Sequence, residues 1–347
     1  MGMEVVADVI KWRNQFNIIS NRNKDIYFTP EYYSLYEING DGEAKAALYK
    51  GSNGMIVLYP FILKKIEGYN LDRNYYDIES AYGYGGPIVE NYNEKNMLEF
   101  EEIFHNWCLN NNVVAEFIRF HPLMDNYKFF NKNIIVEKDR NTVYIDLTKG
   151  IESIWRDSIS SKNRNMIRKA EKAGVQIKIS NDFSNFIDLY NSTMNRVGAG
   201  QYYFFNQEYY KEMSSSMSSN LFLLEASLEN KIIAAAVFLY QGEYLNYHLS
   251  GSNIDYLEYA PNNLLLYEAI KIGCRKGLKK FHLGGGRSKD EDDRLLHFKT
   301  SFSKDRAEFY IGKRIHNPEK YSYLMEQWEK ENKQQAKLFL QYETRGK

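Results

Sequence analysis

One stretch of the sequence, residues 221–286, decides the fold. Its first part contains three short runs that are rich in apolar residues: LFLLEAS at 221–227, KIIAAAVFLY at 231–240 and YLNYHLS at 244–250. The pairs Glu229-Asn230 and Gln241-Gly242 separate these runs, and short links of this composition are typical of tight hairpin turns. The stretch therefore predicts a meander of three antiparallel strands.

The second part of the same stretch predicts a helix and a further strand. The motif Pro261-Asn262-Asn263 is typical of a helix start, and Gly277 is typical of a helix end. A short apolar strand at 280–283 then runs into Gly284-Gly285-Gly286. Residues 155–179, before the meander, predict a helix followed by a strand. The resulting order is helix, antiparallel meander, crossover helix and strand.

The first half of the chain repeats this order more weakly. Apolar strands are predicted at 44–49, 55–63, 113–120 and 142–147. We therefore predict an α+β protein with two tandem domains, each a mixed, mainly antiparallel sheet flanked by helices. The predicted domains are residues 1–149 and 150–347, and the second ends in a long polar helix that begins at Pro318.

Composition and charge exclude several classes of protein. The chain of 347 residues has 45 basic and 45 acidic side chains and no net charge, so contact with a nucleic acid must be local, and DNA binding is not expected. The longest apolar run, 232–240, is too short to span a membrane, and residues 1–20 lack the apolar core of a signal peptide.

Cys108 and Cys274 lie far apart, which fits a reducing cytoplasm. The histidines and cysteines lack ligand spacing, so no metal is expected.

Six motifs carry a resemblance to a known family. They are the tract 82–90 with Gly85-Gly86-Pro87, Lys162-x-Arg164-x-x-x-Arg168-Lys169-Ala170, Tyr247-His248-Leu249-Ser250-Gly251-Ser252, Pro261-Asn262, Gly284-Gly285-Gly286 and Asp292-x-x-Leu295-x-x-Phe298-Lys299-x-x-Phe302. Together they resemble the FemABX-like branch of the GNAT acyltransferase superfamily. The resemblance covers nearly the whole chain and is strongest between residues 155 and 302.

The resemblance implies two tandem GNAT-like domains and an N-acyl transfer. In this chemistry, an amine on a cell-envelope precursor attacks an activated acyl group. FemABX proteins use aminoacyl-tRNA as the donor and a peptidoglycan precursor as the acceptor, whereas relatives from polysaccharide loci are thought to use acyl-CoA. Either donor is a co-substrate, so no tightly bound cofactor is expected.

Two departures from the family pattern bear on the donor. Residues 207–220 leave no room for the coiled-coil arm that several members insert, and no Gln/Arg-x-x-Gly-x-Gly/Ala loop for a CoA pyrophosphate follows Ser250-Gly251-Ser252. Because the tRNA-associated arm is absent, we favour acyl-CoA as the donor, with an acceptor such as a nucleotide-linked amino sugar. The alternatives are an aminoacyl-tRNA-dependent FemX-like transferase acting on a peptidoglycan precursor, and a non-catalytic precursor-binding protein.

The candidate catalytic residues lie in two of these motifs. Lys299 can supply a fixed ammonium that stabilises the oxyanion of a tetrahedral intermediate. Asp292, on the same face of the predicted helix, can orient this lysine or receive the amine proton, and Phe298 is expected to pin the helix to the core. His248 can act as a general base near neutral pH. The alternatives are a surface lysine and a packed, hydrogen-bonded histidine.

Donor contacts are expected at two places in the second half. The helix start at Asn262 and Asn263 can bind an anion through free backbone amides, although ordinary N-capping explains the same residues. The residues Gly284, Gly285 and Gly286 can allow the backbone to approach a substrate closely. A plain loop explains the three glycines equally well.

Acceptor contacts are expected from both halves of the chain. The candidates are Arg196, Tyr202, Tyr203, Tyr247, Tyr84, Glu90, Lys162, Arg164 and Arg168. Arg196 can clamp a phosphate or carboxylate, and the basic stripe formed by Arg164, Arg168 and Lys172 can meet a polyphosphate or a tRNA backbone. The alternatives are aromatic residues that anchor the core, a solvated basic helix face, and a turn shaped by Tyr84 and Glu90.

Overall fold

The computed structural model describes residues 2–130 and 134–344. Within this part, the chain forms two compact units. The first unit takes its described residues from 1–23, 27–139 and 309–347, and the second takes them from 24–26 and 140–308.

The helices and strands in the first part of the chain are β1 (Gly2–Val6), α1 (Val9–Ile18), α2 (Pro30–Asn39), β2 (Glu43–Lys50), β3 (Ile56–Lys65), β4 (Tyr76–Glu79), β5 (Ile88–Glu90), α3 (Glu94–Asn110), β6 (Val113–Arg119) and β7 (Ile135–Asp146). Those that follow are α4 (Gly150–Ser153), α5 (Ser161–Lys172), β8 (Gln176–Ser180), α6 (Ser184–Arg196), α7 (Gln207–Ser216), β9 (Leu221–Leu228), β10 (Lys231–Gln241), β11 (Tyr244–Ser252), α8 (Pro261–Arg275), β12 (Lys280–Gly285), α9 (Arg294–Thr300), β13 (Arg306–Ile315) and α10 (Pro318–Asn332). One turn of π-helix, Ile154–Ser158, extends α4.

This division differs from the predicted domains in two respects. The boundary lies within the long strand β7 at residues 139/140 rather than at 149/150, and the carboxy-terminal segment belongs to the first unit. The physical reason is strand pairing, because residues 311–315 of β13 pair antiparallel with 115–119 of β6. Helix α10 follows the same route, since Leu324 and Trp328 are buried in one cluster with Val114 and Ala115.

The sheet of the first unit has the strand order β1-β2-β3-β4-β6-β13, and β5 pairs with β3. Its pairs are antiparallel except for β4 and β6, which are parallel. Helix α3 begins at the cap Asn93, whose side chain accepts a hydrogen bond from the backbone N–H of Asn96. The helix buries Phe100 and Phe104 among apolar residues of the strands.

The sheet of the second unit has the order β7-β12-β11-β10-β9-β8. The predicted meander is confirmed, because β9, β10 and β11 are consecutive antiparallel neighbours. Glu229, Asn230 and Gly242 have the positive φ angles (50°, 63° and 59°) that their turns require. The mainly antiparallel α+β fold flanked by helices is therefore confirmed.

Strands β11 and β12 form the one parallel pair in this unit's described sheet. Residues Tyr244–Asn246 pair with Lys280–His282, although β11 continues to Ser252 and β12 to Gly285. The two strands therefore diverge after the pair Asn246–His282. Helix α6 packs directly on the diverging part of β11, because Gly251 has no side chain: a Cβ there would lie 2.3 Å from the backbone nitrogen of Tyr190.

Within residues 2–130 and 134–344, every helix is too short or too polar to cross a lipid bilayer.

Candidate functional site

The candidate site lies in the second unit, where β11 and β12 diverge. The buried carboxylate of Asp25 marks the start of this divergence, because both of its oxygens accept from Asn246 Nδ2, at 2.8 and 3.1 Å. Asn246 pairs with His282 in the last parallel step, so this contact holds the end of the paired region. Asp25 was missed from the sequence because it is far from the strand in the chain and belongs to no motif.

Lys299 reaches the end of β12 from helix α9. Its side chain is buried, and Nζ donates to the carbonyl oxygen of Gly285 at 2.7 Å. Burial lowers the pKa of Lys299 to about 7, with a smaller lowering from Arg140 and an opposing effect from Asp293. The buried position excludes the surface lysine considered as the alternative. A lysine with this pKa can hold or release a proton near neutral pH.

Asp292 does not contact Lys299, contrary to the sequence prediction. Helix α9 begins at Arg294 with Asp293 as its cap, so Asp292 lies before the helix and does not share its face. The Asp292 side chain is 95% exposed, and its nearest basic atom is Nε2 of His297 at 3.7 Å. Asp293 is the carboxylate whose charge acts on Lys299.

Phe298 packs as predicted. Its ring lies edge-on to Phe302 with the centroids 5.5 Å apart, and it contacts the core cluster of the second unit. Phe302 is fully buried. These contacts fix the helix that presents Lys299.

Two of the three glycines, Gly285 and Gly286, have backbone carbonyl oxygens that accept hydrogen bonds from side chains. Arg140 donates to the carbonyl oxygen of Gly286 at 3.1 Å, and Asp293 accepts the backbone N–H groups of Arg287 and Ser288 at 3.1 and 3.3 Å. A Cβ at Gly286 would lie 2.6 Å from Asp293 Oδ1. The glycines therefore serve close packing around Asp293 and Lys299. Neither Arg140 nor Asp293 stood out in the sequence, because their partners are distant or are backbone groups.

His248 and Tyr247 lie where the pairing of β10 and β11 shifts register, because Val237 pairs with Leu249 and Phe238 with Tyr247, which leaves His248 as the extra residue of a bulge. Nε2 of His248 lies 3.1 Å from the Tyr209 hydroxyl, and burial lowers the His248 pKa to about 3. This imidazole is neutral at physiological pH and is a weak base, which favours the packed histidine over the general base. Tyr247 stacks on Phe238 at 5.6 Å, and burial raises its pKa to about 12, which favours a core role.

The start of helix α8 presents polar side chains rather than the free backbone amides expected there, because the N–H of Asn263 donates to the Ala260 carbonyl oxygen at 3.1 Å. Asn263 Nδ2 donates to Asn163 Oδ1 at 2.7 Å, which joins the first turns of α5 and α8. Among the described residues, neither Asn163 Nδ2 nor Asn262 Oδ1 has a hydrogen-bond partner, although both atoms are buried. Buried polar atoms are normally paired, so this helix start suits a polar group of a ligand. Asn163 lies inside the basic motif 162–170, but no sequence signal distinguishes it from an ordinary polar residue of a helix start.

The basic residues of α5 make different contacts. Arg164 donates from Nη1 to the carbonyl oxygens of Trp155, Arg156 and Ile159. These bonds occupy backbone carbonyl oxygens at the end of the preceding helix. Arg164 is therefore not available to contact a substrate, contrary to the prediction. Arg168 lies over the ring of Trp155 at 5.3 Å, and Lys162 is exposed.

The residues around the end of α6 remain accessible. Arg196 is exposed and donates from Nη1 to the carbonyl oxygen of Ser252 at 3.1 Å, which ties the helix end to β11. Tyr202 and Tyr203 are 43% and 40% exposed, and their rings meet edge to face at 5.6 Å. The two rings therefore do not anchor the core.

Tyr84 and Glu90 lie in the first unit, and their contacts are structural. Glu90 accepts hydrogen bonds from the Ser20 backbone N–H at 2.8 Å and from Asn23 Nδ2 at 2.9 Å. Partial burial would raise the Glu90 pKa, but these bonds hold it below its usual value. The Tyr84 ring packs against His121 and Phe309 at 5.8 and 5.3 Å. Both residues shape this part of the first unit, which agrees with the alternative considered for them.

In the part of the chain that the structure describes, no group of three or more histidine, cysteine, aspartate or glutamate residues is arranged to hold a metal ion.

Comparison with known proteins identifies the class of domain around this site. Residues 159–299, which include Asn163, β11, α8 and Lys299, match the family model described as "Acetyltransferase (GNAT) domain". The crystal structure of FemX has a TM-score of 0.70 at 13% identity and covers 93% of this chain and 99% of that one. A tandem GNAT protein from the clavulanic acid biosynthesis pathway has a TM-score of 0.51 at 8% identity and covers 91% of this chain and 99% of that one. The fold is that of a tandem GNAT protein.

Similarity to a relative with a known activity supports a narrower family assignment. The UDP-N-acetylmuramoylpentapeptide-lysine N(6)-alanyltransferase of Weissella viridescens is 26% identical over 193 residues, which are 54% of this chain and 56% of that protein. The chain thus matches about half the length of this relative. Together with the GNAT match and the fold of FemX, this finding supports the FemABX-like branch that the motifs indicated.

Proposed function

We propose that this chain is an aminoacyl-tRNA-dependent transferase that attaches an amino acid to an amine of a peptidoglycan precursor. The observation that carries the proposal is the buried Lys299 at the end of β12, 2.7 Å from the Gly285 carbonyl oxygen, where two sheet strands diverge in a GNAT domain. The similarity to an alanyltransferase that modifies a peptidoglycan precursor lysine supports the choice of acceptor. The reaction would take place in the cytoplasm.

The proposed reaction is the direct aminolysis of an ester. The acceptor amine attacks the carbonyl carbon of the aminoacyl ester, so a C–N bond forms and a tetrahedral oxyanion develops. Collapse of this intermediate breaks the C–O bond, and the released tRNA hydroxyl takes up the proton that the amine loses. The Lys299 ammonium stabilises the oxyanion, and such a donor in a buried site is typically worth about 3–4 kcal/mol.

The donor in this proposal differs from the one that the sequence favoured. The sequence favours acyl-CoA because residues 207–220 cannot hold a coiled-coil arm, and the structure has the short helix α7 there. The alanyltransferase similarity favours the aminoacyl-tRNA alternative instead. The missing arm excludes one way of holding tRNA, but it says nothing about other surfaces of the protein.

A product assay tests both substrates together. Purified protein is incubated with charged tRNAs or acyl-CoAs, each against UDP-linked muropeptides and UDP-amino sugars, and the product mass is recorded. We expect a muropeptide heavier by one aminoacyl residue, formed only with charged tRNA. Product formed from acyl-CoA alone would replace the proposed donor, and the absence of any product with a well-folded protein would favour the non-catalytic binding protein.

The pH dependence of turnover tests the charge that Lys299 carries in the reaction. With its pKa lowered to about 7 by burial, Lys299 loses its proton as the pH rises through 7, so oxyanion stabilisation should decline. Arginine stays protonated over this range. We therefore expect the ratio of kcat for the wild type to kcat for Lys299→Arg to fall between pH 6 and 9. A ratio that rises with pH would assign Lys299 as a base that must be neutral.

A further inference from the structure

Positive charge is concentrated in two segments of the second unit, although the chain as a whole is neutral. Residues 150–172 and 261–280 carry eleven basic and four acidic side chains. Because all 347 residues together hold 45 of each sign, the rest of the chain has an excess of seven acidic residues. This arrangement gives the local basic surface that polyanion binding requires in a protein with zero net charge.

The helices of the two segments lie side by side. Helices α5 and α8 start side by side, where Asn263 Nδ2 donates to Asn163 Oδ1 at 2.7 Å. They share a core, since Ile167 and Ala170 of α5 are buried in the same cluster as Leu266 and Ala269 of α8. Their outer sides therefore form a continuous surface, which we call the α5–α8 face. It extends from the diverging strands along α8, whose 15 residues span about 22 Å at the usual helical rise.

Basic groups and aromatic rings alternate on the α5–α8 face. The guanidinium of Arg168 lies over Trp155 at 5.3 Å, and the Trp155 ring packs on Tyr267 at 4.8 Å. Lys271 Nζ lies over Tyr267 at 4.7 Å and is also ion-paired with Glu268, which an RNA phosphate would have to displace. Trp155 and Tyr267 are only partly buried. One turn beyond Lys271 on the same helix, Arg275 is exposed. Rings beside cations are the combination that stacks on unpaired bases and neutralises the adjoining phosphates.

We infer that the α5–α8 face binds the acceptor end of the donor tRNA through Arg168, Lys271 and Arg275, with Trp155 and Tyr267 as contacts for unpaired bases. The inference rests on the proposed function, because it supplies the surface that a tRNA-dependent enzyme without a coiled-coil arm needs. The esterified end of the RNA reaches the start of α8, where the buried Asn163 Nδ2 has no partner among the described residues. Arg164 is not one of these contacts, because its guanidinium donates to three backbone carbonyl oxygens.

Binding of uncharged tRNA tests the face independently of catalysis. The triple variant Arg168→Gln, Lys271→Gln, Arg275→Gln removes three cations and leaves Lys299 intact. Its matched control, Lys50→Gln, Lys95→Gln, Lys211→Gln, removes three exposed cations from elsewhere. We expect the first variant to weaken tRNA binding at least tenfold at about 0.1 M salt. The slope of log K against log salt should flatten by about 2, because each phosphate contact on a single strand contributes about 0.7.

Turnover separates a binding defect from a catalytic one. With the triple variant, kcat/KM for aminoacyl-tRNA should fall at least tenfold, whereas transfer from a small aminoacyl ester of adenosine should change less than twofold. The control variant should match the wild type in both assays. Unchanged tRNA affinity and salt slope in the triple variant would overturn this inference but leave the proposed function standing. Failure of the wild type to use any aminoacyl-tRNA would instead overturn the proposed function, and this inference with it.

Discussion

Replacing Lys299 by methionine is expected to lower kcat by about 10² to 10³, which is the usual loss when one oxyanion donor is removed. Methionine keeps most of the aliphatic stem, so the packing of α9 through Phe298 and Phe302 should persist. Binding of the tRNA donor should change little, because the ammonium acts mainly on the charge that develops in the transition state. Single-turnover rates and tRNA dissociation constants, measured on the same protein, check both expectations.

The fold of the Lys299→Met protein needs its own measurement. The variant leaves the Gly285 carbonyl oxygen without its 2.7 Å donor, which typically costs about 1–3 kcal/mol. It also removes a buried ammonium, which is itself unfavourable to bury, so the free energy of unfolding should change modestly. Lys304→Met, at an exposed position near the end of the same helix, is the matched control and should turn over normally. A folded Lys299→Met enzyme within about threefold of the wild-type kcat would remove Lys299 from the chemistry.

The sequence predicted those parts of the fold that short-range patterns determine. The meander of β9, β10 and β11 follows from apolar runs separated by Glu229-Asn230 and Gln241-Gly242, and the helix after Pro261 follows from its start signal. The return of β13 to the first unit was not predictable in this way. Its partner β6 lies almost 200 residues earlier, and no local sequence pattern in either strand identifies the other as its pairing partner.

Within the site, the sequence predictions are wrong where a small shift in a helix boundary changes which side chains meet. Asp292 was placed on the helix of Lys299, but the helix begins two residues later and Asp293 is its cap; helix boundaries are the least certain feature of a sequence pattern. The prediction that Arg164 contacts a substrate is wrong because a basic stripe has the same sequence whether its members face solvent or donate to carbonyl groups. The burial of Lys299 came from tertiary packing, which the sequence alone does not specify.

Replacing Arg314 by methionine is expected to destabilise the first unit strongly. Arg314 and Glu116 are buried, with Nε of the arginine 3.6 Å from Glu116 Oε2 and Nη2 3.3 Å from Glu101 Oε2. His316 Nε2 also lies 3.1 Å from Glu116 Oε2. Removing one partner of a buried ion pair leaves the other charge uncompensated, which typically costs about 3–5 kcal/mol.

The neighbouring residue Lys313 provides a control on the same strand. Its ion pair with Glu137 is short, at 2.6 Å, but the two side chains are 22% and 49% exposed. Exposed pairs contribute about 0–1 kcal/mol, so Lys313→Met should be nearly neutral. Chemical denaturation of the full chain, followed by hydrogen exchange at β6 and β13, measures both variants in the unit concerned. Equal effects of the two substitutions would contradict the importance of burial.

A double variant distinguishes loss of the charge balance from loss of packing. In Arg314→Met, Glu116→Gln, the amide is neutral and can still meet Tyr59 and His316, both of which bond to Glu116 in the native protein. If the uncompensated carboxylate causes the destabilisation, the double variant should recover roughly half or more of the lost stability. If the loss came from the shape of the arginine stem, the second substitution would recover nothing, since it changes no volume. Partial recovery is expected, because methionine replaces the aliphatic part of arginine, and of the two carboxylates left without their cation the second substitution neutralises Glu116 but not Glu101.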